Sequence, residues 1–344
     1  MPEPIWTGVH GGPAIEVARI HFGRTPSVLE RLDRRSVNTL YRFKADGNTY
    51  ILKRLGRAVA AGWLAFQSQA VERVHERGVP VTPFVPSVRG ENTVCHAGSA
   101  WQLTPYRPGR PFVDGRADEL TRVARCVSLV HSVPVDGLDI AAANPIRDVE
   151  TWLDSGRDEL ARLSAAARVA GVAEADLASL AREFERTLDR ALGELDAATY
   201  AALPRTLTHG ELTGSNILVD PATQEVVALL DWDGVAVRPR AYDLARGALF
   251  LARQRRDGFA VHDELVVSFL RTGSQPTPLA TEEIDAIIPI LELFLLPTAG
   301  YVSDLARHAP ASLDWFLRWS AEGAGHVRSV MVPALDTFRR SGFE

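Results

Sequence analysis

A chain of 344 residues exceeds what one hydrophobic core usually supports, so its length favours two lobes packed together. Its 46% apolar and 24% charged residues exclude a disordered chain, and a net charge of -5 with no basic run argues against nucleic acid or an anionic membrane surface as a partner. Cys95 and Cys126 are too few and too far apart for a disulfide framework or a zinc site, and without a signal-like start or an apolar run of about 18 residues the chain is expected to be cytoplasmic.

From the N-terminus, Arg34 to Leu55 reads as two strands. TLYRF and TYILKRL alternate apolar with polar residues, and Ala45-Asp46-Gly47-Asn48 between them carries hairpin turn chemistry. Ala61 to Arg77 shows helical spacing through Leu64, Val71 and Val74 and stops at Gly78. A further strand is expected over Ala100 to Thr104. The Pro- and Gly-containing link that follows, Pro105 to Phe112, marks a lobe boundary.

Helical periodicity returns over Glu119 to His131, Val149 to Ala167 and Ala173 to Asp196. A short β-rich island, Asn216 to Asp220 and Glu225 to Asp233, interrupts it, and after Tyr242 the chain is helical to near its end, with breaks around Gly273 to Pro278 and at Pro310. The pattern divides the chain into an N-lobe (1–104), a hinge (105–111) and a C-lobe (112–344).

The chemistry is concentrated in Leu207 to Ala245, LTHGELTGSNILVDPATQEVVALLDWDGVAVRPRAYDLA. Phosphoryl transfer needs a carboxylate to orient the attacking hydroxyl and oxygen ligands to hold Mg²⁺ against the phosphates. Glu211, Asn216 and Asp231 supply that set, and a hairpin would bring Asn216 and Asp231 together as ligands of one hard ion. Lys44 and Lys53 are the only lysines in an arginine-rich chain. A compact ammonium is not interchangeable with a guanidinium at a phosphate, so Lys53, within a predicted strand, becomes a candidate. There is no P-loop and no nucleophile elbow. His131, His262, His308 and His326 read as packing or surface residues, and Trp315, Phe316 and Trp319, at helical spacing, as core rather than as the wall of an acceptor pocket.

The run His209-Gly210-Glu211, then Asn216-Ile217-Leu218, then Leu230-Asp231-Trp232-Asp233, with Tyr242-Asp243-Leu244-Ala245 beyond it, resembles the catalytic region of the aminoglycoside phosphotransferase and choline kinase superfamily. The resemblance covers most of the chain and is nearest to its homoserine-kinase-like and antibiotic-phosphotransferase branches. It implies an α+β, bilobal, protein-kinase-like fold with a small β-rich N-lobe and a larger, mainly helical C-lobe. It also implies Mg²⁺ on Asn216 and Asp231, a catalytic carboxylate at 211, structural roles for His209 and Asp243, and ATP or GTP as co-substrate. The other substrate would be a small-molecule hydroxyl acceptor, and the enzyme a monomer or homodimer.

By the same resemblance Lys53 pairs with the nucleotide phosphates, Ser36 and Asn38 lie in the phosphate-covering loop or in an ordinary turn, and Thr104 and Tyr106 meet the nucleobase at the hinge. Pro105 cannot donate there, so Thr104, Tyr106 or Arg107 must. Two departures stand out. The family carries Asp where this chain has Glu211, and the helix glutamate expected to partner Lys53 is replaced by Gln67, which either hydrogen-bonds the lysine or lies on the surface. Together they leave open a second reading, a weak or inactive pseudokinase that binds nucleotide as a regulator or scaffold. Acids and arginines are nearly balanced after Leu244, which lowers the expectation of a polycationic aminoglycoside acceptor.

Overall fold

Alternation of apolar and polar residues builds the first half of the molecule. In the computed structural model, which describes residues 5–7, 12–32, 37–140 and 147–341, the chain opens with β1 (Ile5–Thr7), α1 (Gly12–Ile20), β2 (Val28–Leu32), β3 (Thr39–Ala45) and β4 (Asn48–Arg54). It continues through α2 (Ala61–Glu76), β5 (Thr93–His96) and β6 (Ser99–Pro105). The strands form one sheet in the order β1-β2-β3-β4-β6-β5, parallel only between β1 and β2. Tyr41, Phe43, Tyr50, Leu52 and Leu103 point to one face, where Ala14, Val17 and Ala18 of α1 close a small core over them. The two-residue period therefore turns Lys53, next to Leu52, to the opposite face.

The second half contains β7 (Arg110–Pro111), α3 (Ala117–His131), α4 (Asp148–Val169), α5 (Glu174–Glu194), α6 (Ala197–Ala202), β8 (Arg205–Thr208), β9 (Ile217–Val219), β10 (Val226–Leu229) and β11 (Ala236–Pro239). The helices α7 (Arg240–Leu251), α8 (Asp263–Gly273), α9 (Thr281–Leu295), α10 (Ala299–His308) and α11 (Leu313–Ser341) complete it. Two small antiparallel ribbons, β10-β9-β7 and β11-β8, lie among these helices and carry the loops bearing Glu211, Asn216 and Asp231. The fold is thus α+β, a β-sheet region followed by a helical one.

Apolar packing does not divide at the hinge. Trp63, Phe66, Ala70, Val71 and Val74 of α2 belong to the large core shared with the C-terminal helices, not to the core under α1. A backbone bond from Leu229 to the Pro80 carbonyl (2.7 Å) and the bridge Val81–Leu229 tie the segment after α2 to the same side. The 1–104 unit is therefore split in packing terms, because the apolar stripe of α2 faces the helical lobe while its Gln67 reaches the sheet.

Candidate active site

The floor of the site is built on one buried carboxylate. Asp243, on the first turn of α7 and fully buried, accepts the backbone N–H of His209 at 2.6 Å and that of Gly210 at 2.9 Å. Burial drives its pKa up, but His131 (Nε2 at 3.5 Å), His209 and these donors outweigh that and hold it below the usual carboxylate range. The His209 ring takes the Glu211 N–H on Nδ1 (3.1 Å) and lies 3.0 Å from the Leu230 carbonyl through Nε2. An accepting Nδ1 places the proton on Nε2, and burial, which lowers the His209 pKa, favours that neutral form. His209 and Asp243 therefore set the backbone that presents Glu211.

Gly210 makes the turn possible. Its φ is +81°, and an added Cβ would fall 2.0 Å from the Gly234 carbonyl oxygen, so the loops bearing Glu211 and Asp231 touch backbone to backbone. Arg246, one turn along α7 from Tyr242, donates to the Gly210 carbonyl and to the Tyr242 hydroxyl at 2.9 Å. Half-buried Glu211 has its carboxyl pushed up to about 8, first by burial and then by the charge of Asp231, against the pull of Arg246.

Asn216 closes a single 3-10 turn before β9; its amide nitrogen donates to the Glu211 carbonyl at 3.0 Å and its own carbonyl accepts Leu230 N–H at 2.7 Å. Asp231 follows β10 in a left-handed conformation, φ +61°, and places Oδ1 2.6 Å from Lys53 Nζ. Lys53 reaches across from β4 and also meets Asp233 Oδ1 at 2.7 Å. These two carboxylates overcome the cost of burial and raise the lysine pKa, so it stays charged.

Gln67 is neither on the surface nor bonded to Lys53, which corrects both expectations for it. It is buried, donates to the Trp232 carbonyl (3.2 Å) and to Asp233 Oδ1 (3.1 Å), and accepts from Gln102 at 2.6 Å. Asn38 donates to Asp233 Oδ2 at 2.7 Å while its Oδ1 takes the Gly56 N–H. Lys53, Gln67 and Asn38 thus converge on Asp233, a residue the motif contained but sequence reasoning gave no role. It supplies, from the opposite lobe, the carboxylate that α2 does not present at position 67. The only sequence signal was its place two residues after Asp231.

The hinge residues are not joined to this cluster by hydrogen bonds among the described residues. Thr104 faces Ile51 in the β4–β6 ladder, and the Tyr106 N–H is spent on the Thr49 carbonyl at 2.9 Å. That removes Tyr106 as a backbone donor to a nucleobase, because the strand pairing runs one residue past Pro105. Ser36 lies outside the described residues.

Next to Glu211 opens a cavity of about 1040 Å³. Trp315, Phe316 and Trp319 line it; Phe316 and Trp319 pack against the large core as their spacing suggested, whereas Trp315 is 54% exposed and is not core. Helical spacing reports a shared face, not what that face meets.

As a metal site, the donors fit a hard ion. The Asn216 side-chain nitrogen is used within the loop and its backbone carbonyl on Leu230, which leaves the side-chain Oδ1 to join Asp231 in an all-oxygen pair. No cluster of three or more His, Cys, Asp or Glu that could hold a metal occurs among the described residues. Two protein oxygens suit Mg²⁺, which characteristically completes its shell with substrate phosphates and water.

Residues 28–274 match the model of the phosphotransferase enzyme family. An aminoglycoside 3'-phosphotransferase of Streptomyces fradiae is 26% identical over 197 residues, 54% of this chain and 63% of that protein, so the match spans less than two thirds of the relative's length. Among solved structures, a spectinomycin phosphotransferase in complex with ADP and spectinomycin aligns with a TM-score of 0.66 at 12% identity, covering 94% of this chain and 99% of that one. A microcompartment-associated aminopropanol kinase aligns at 0.66 and 17% identity over 93% and 97%. An amicoumacin kinase aligns at 0.63 and 15% over 91% and 93%.

Proposed function

This chain belongs to the phosphotransferase enzyme family, and from that premise we propose that it transfers the γ-phosphoryl group of ATP or GTP to a hydroxyl of a small molecule, with Mg²⁺ as its cofactor. The observation that carries the reading is the meeting of Lys53, Asp231 and Asn216 with Glu211 at the mouth of a cavity. Lys53 is the phosphate-facing cation, kept charged by Asp231 and Asp233. Bound to Asn216 and Asp231, Mg²⁺ would neutralise phosphate charge.

Glu211 accepts the acceptor's hydroxyl proton as the bond from that oxygen to the γ-phosphorus forms. The electron pair of the bond to the bridging oxygen leaves with the nucleoside diphosphate. A general base works best with a pKa near the operating pH, and a carboxyl pushed up to about 8 meets that requirement. The longer glutamate is accommodated where its Cγ packs over Gly234, 3.0 Å from where a Cβ there would lie. The absent helix glutamate would favour a non-catalytic nucleotide binder, but Asp233 delivers a carboxylate to Lys53 in its place, which supports transfer.

The test is a γ-³²P transfer screen with ATP and with GTP, with Mg²⁺, over a library of hydroxyl compounds. Label should move to an acceptor with the wild type and fall by at least ~100-fold with Glu211→Ala. Undiminished transfer by that variant would remove Glu211 from the mechanism, and absence of nucleotide binding would remove the reading altogether.

A further inference from the structure

The cavity beside Glu211 carries as many arginines as acids along its lining, and most of those acids are already engaged by the protein. Asp304 pairs with Arg57 at 2.9 Å, Asp314 with Arg318 at 2.5 Å and Asp257 with Arg255 at 2.8 Å. Asp148 accepts the Tyr242 hydroxyl at 2.7 Å. Apart from Glu211 itself, exposed Glu322 is the cavity acid left without a basic partner among the described residues. Arg256, by contrast, has no acidic partner at hydrogen-bond distance there; its guanidinium lies against Gly214, between Glu211 and Asn216, where Asp114, itself paired with Arg253, also approaches. A polycation entering this space would find few free carboxylates and a guanidinium beside the loop that bears Glu211.

The apolar wall has an equally definite form. Trp315 stacks on Trp319 (6.1 Å, 20°), and Trp319 stacks on Phe250 (6.1 Å, 23°) and on Phe316 (6.0 Å, 30°). The Trp315–Trp319 pair thus presents a near-parallel surface at the exposed end of the wall, while Phe294 meets Phe250 edge-on (80°) and Tyr301 tilts against Phe316 (58°) deeper in. Towards the reaction centre the ring faces are already covered: Arg246 sits 4.0 Å over Phe294 and Arg253 5.0 Å over Phe250. The Phe294 and Phe250 faces are thereby held by the protein's own guanidinium groups, and the open aromatic face is that of Trp315.

Resting on the phosphotransferase reading, we infer that the acceptor is a ring-bearing alcohol without positive charge, whose flat face stacks on the Trp315–Trp319 shelf and whose hydroxyl reaches Glu211. An exposed tryptophan at the open end of the stack is the group such a ring would cover. A neutral ligand needs no counter-charge in this pocket, whereas a cationic one finds most of its acids already paired.

Tryptophan fluorescence titrations in the presence of ADP and Mg²⁺, with phenyl β-glucoside and a flavonoid glucoside against kanamycin and choline, test this. The neutral aromatic glucosides should bind at least ~10-fold more tightly than either cation, a difference of about 1.4 kcal/mol. Trp315→Ala should abolish that preference, and Arg256→Glu should improve kanamycin binding, with ADP affinity by calorimetry unchanged in both. Equal or tighter binding of kanamycin or choline, or neutral ligands that ignore Trp315→Ala, would overturn the inference. Failure of ADP to bind the wild type would instead strike the phosphotransferase reading, so the two outcomes are separable.

Discussion

Asp233 is the residue on which the two lobes agree. It holds Lys53 at 2.7 Å and receives amide nitrogens from Gln67 at 3.1 Å and Asn38 at 2.7 Å. If it stands in for a carboxylate on α2, then Gln67→Glu alone sets two buried like charges against each other and should cost about 1–3 kcal/mol. Adding Asp233→Asn should recover most of that loss, because one carboxylate and one amide are restored in exchanged positions. Urea denaturation of the single and double variants reads the coupling, and simple additivity would show that the two positions do not exchange roles. Glu211 gives a pH signature. Its carboxyl ordinarily titrates at 4.5 and is pushed up to about 8 in the folded chain, so between those values the folded state holds a proton that the unfolded state has released. Stability of the nucleotide-free protein should therefore fall as pH rises through that window and level off above it. Glu211→Gln should flatten the decline, and wild type and variant falling in parallel from pH 5 to 8 would count against the raised value.

At the level of elements, two glycines with similar backbone angles separate conformational need from contact. Gly78, φ +85°, ends α2 with open space around it, whereas Gly210, φ +81°, presses on the Gly234 carbonyl. Gly78→Ala should cost roughly 1 kcal/mol, the ordinary penalty of a left-handed alanine. Gly210→Ala must also push the loops bearing Glu211 and Asp231 apart and should cost more than ~4 kcal/mol and abolish nucleotide binding. Comparable melting temperatures for the two variants would mean that the loops do not depend on this contact. The glycine in the His209-Gly210-Glu211 run was visible in the sequence; that it meets a second glycine 24 residues later was not, since that contact belongs to the closed structure alone.

For the molecule as a whole, legibility followed locality. The β3–β4 hairpin, α2 and the run from Leu207 to Ala245 could be read because their periodicity and turn chemistry lie within a few tens of residues. The short strands β8 and β11 escaped, being four residues each and paired with one another across 27 intervening residues. The allegiance of α2 escaped as well: an amphipathic pattern shows that Trp63 and Phe66 face a core without saying which one. The same limit hid Arg246, whose buried guanidinium is indistinguishable in sequence from the many arginines on the surface. What unites these pieces is the claim that residues from both lobes make one centre for a metal and a nucleotide. The measurement nearest to that claim is electron paramagnetic resonance of Mn²⁺ titrated into the protein with and without ADP or GDP. A diphosphate should create one tight Mn²⁺ site in the wild type that is lost in folded Asp231→Asn and Asn216→Ala; Mn²⁺ binding that is indifferent to the diphosphate, or unchanged in both variants, would contradict it.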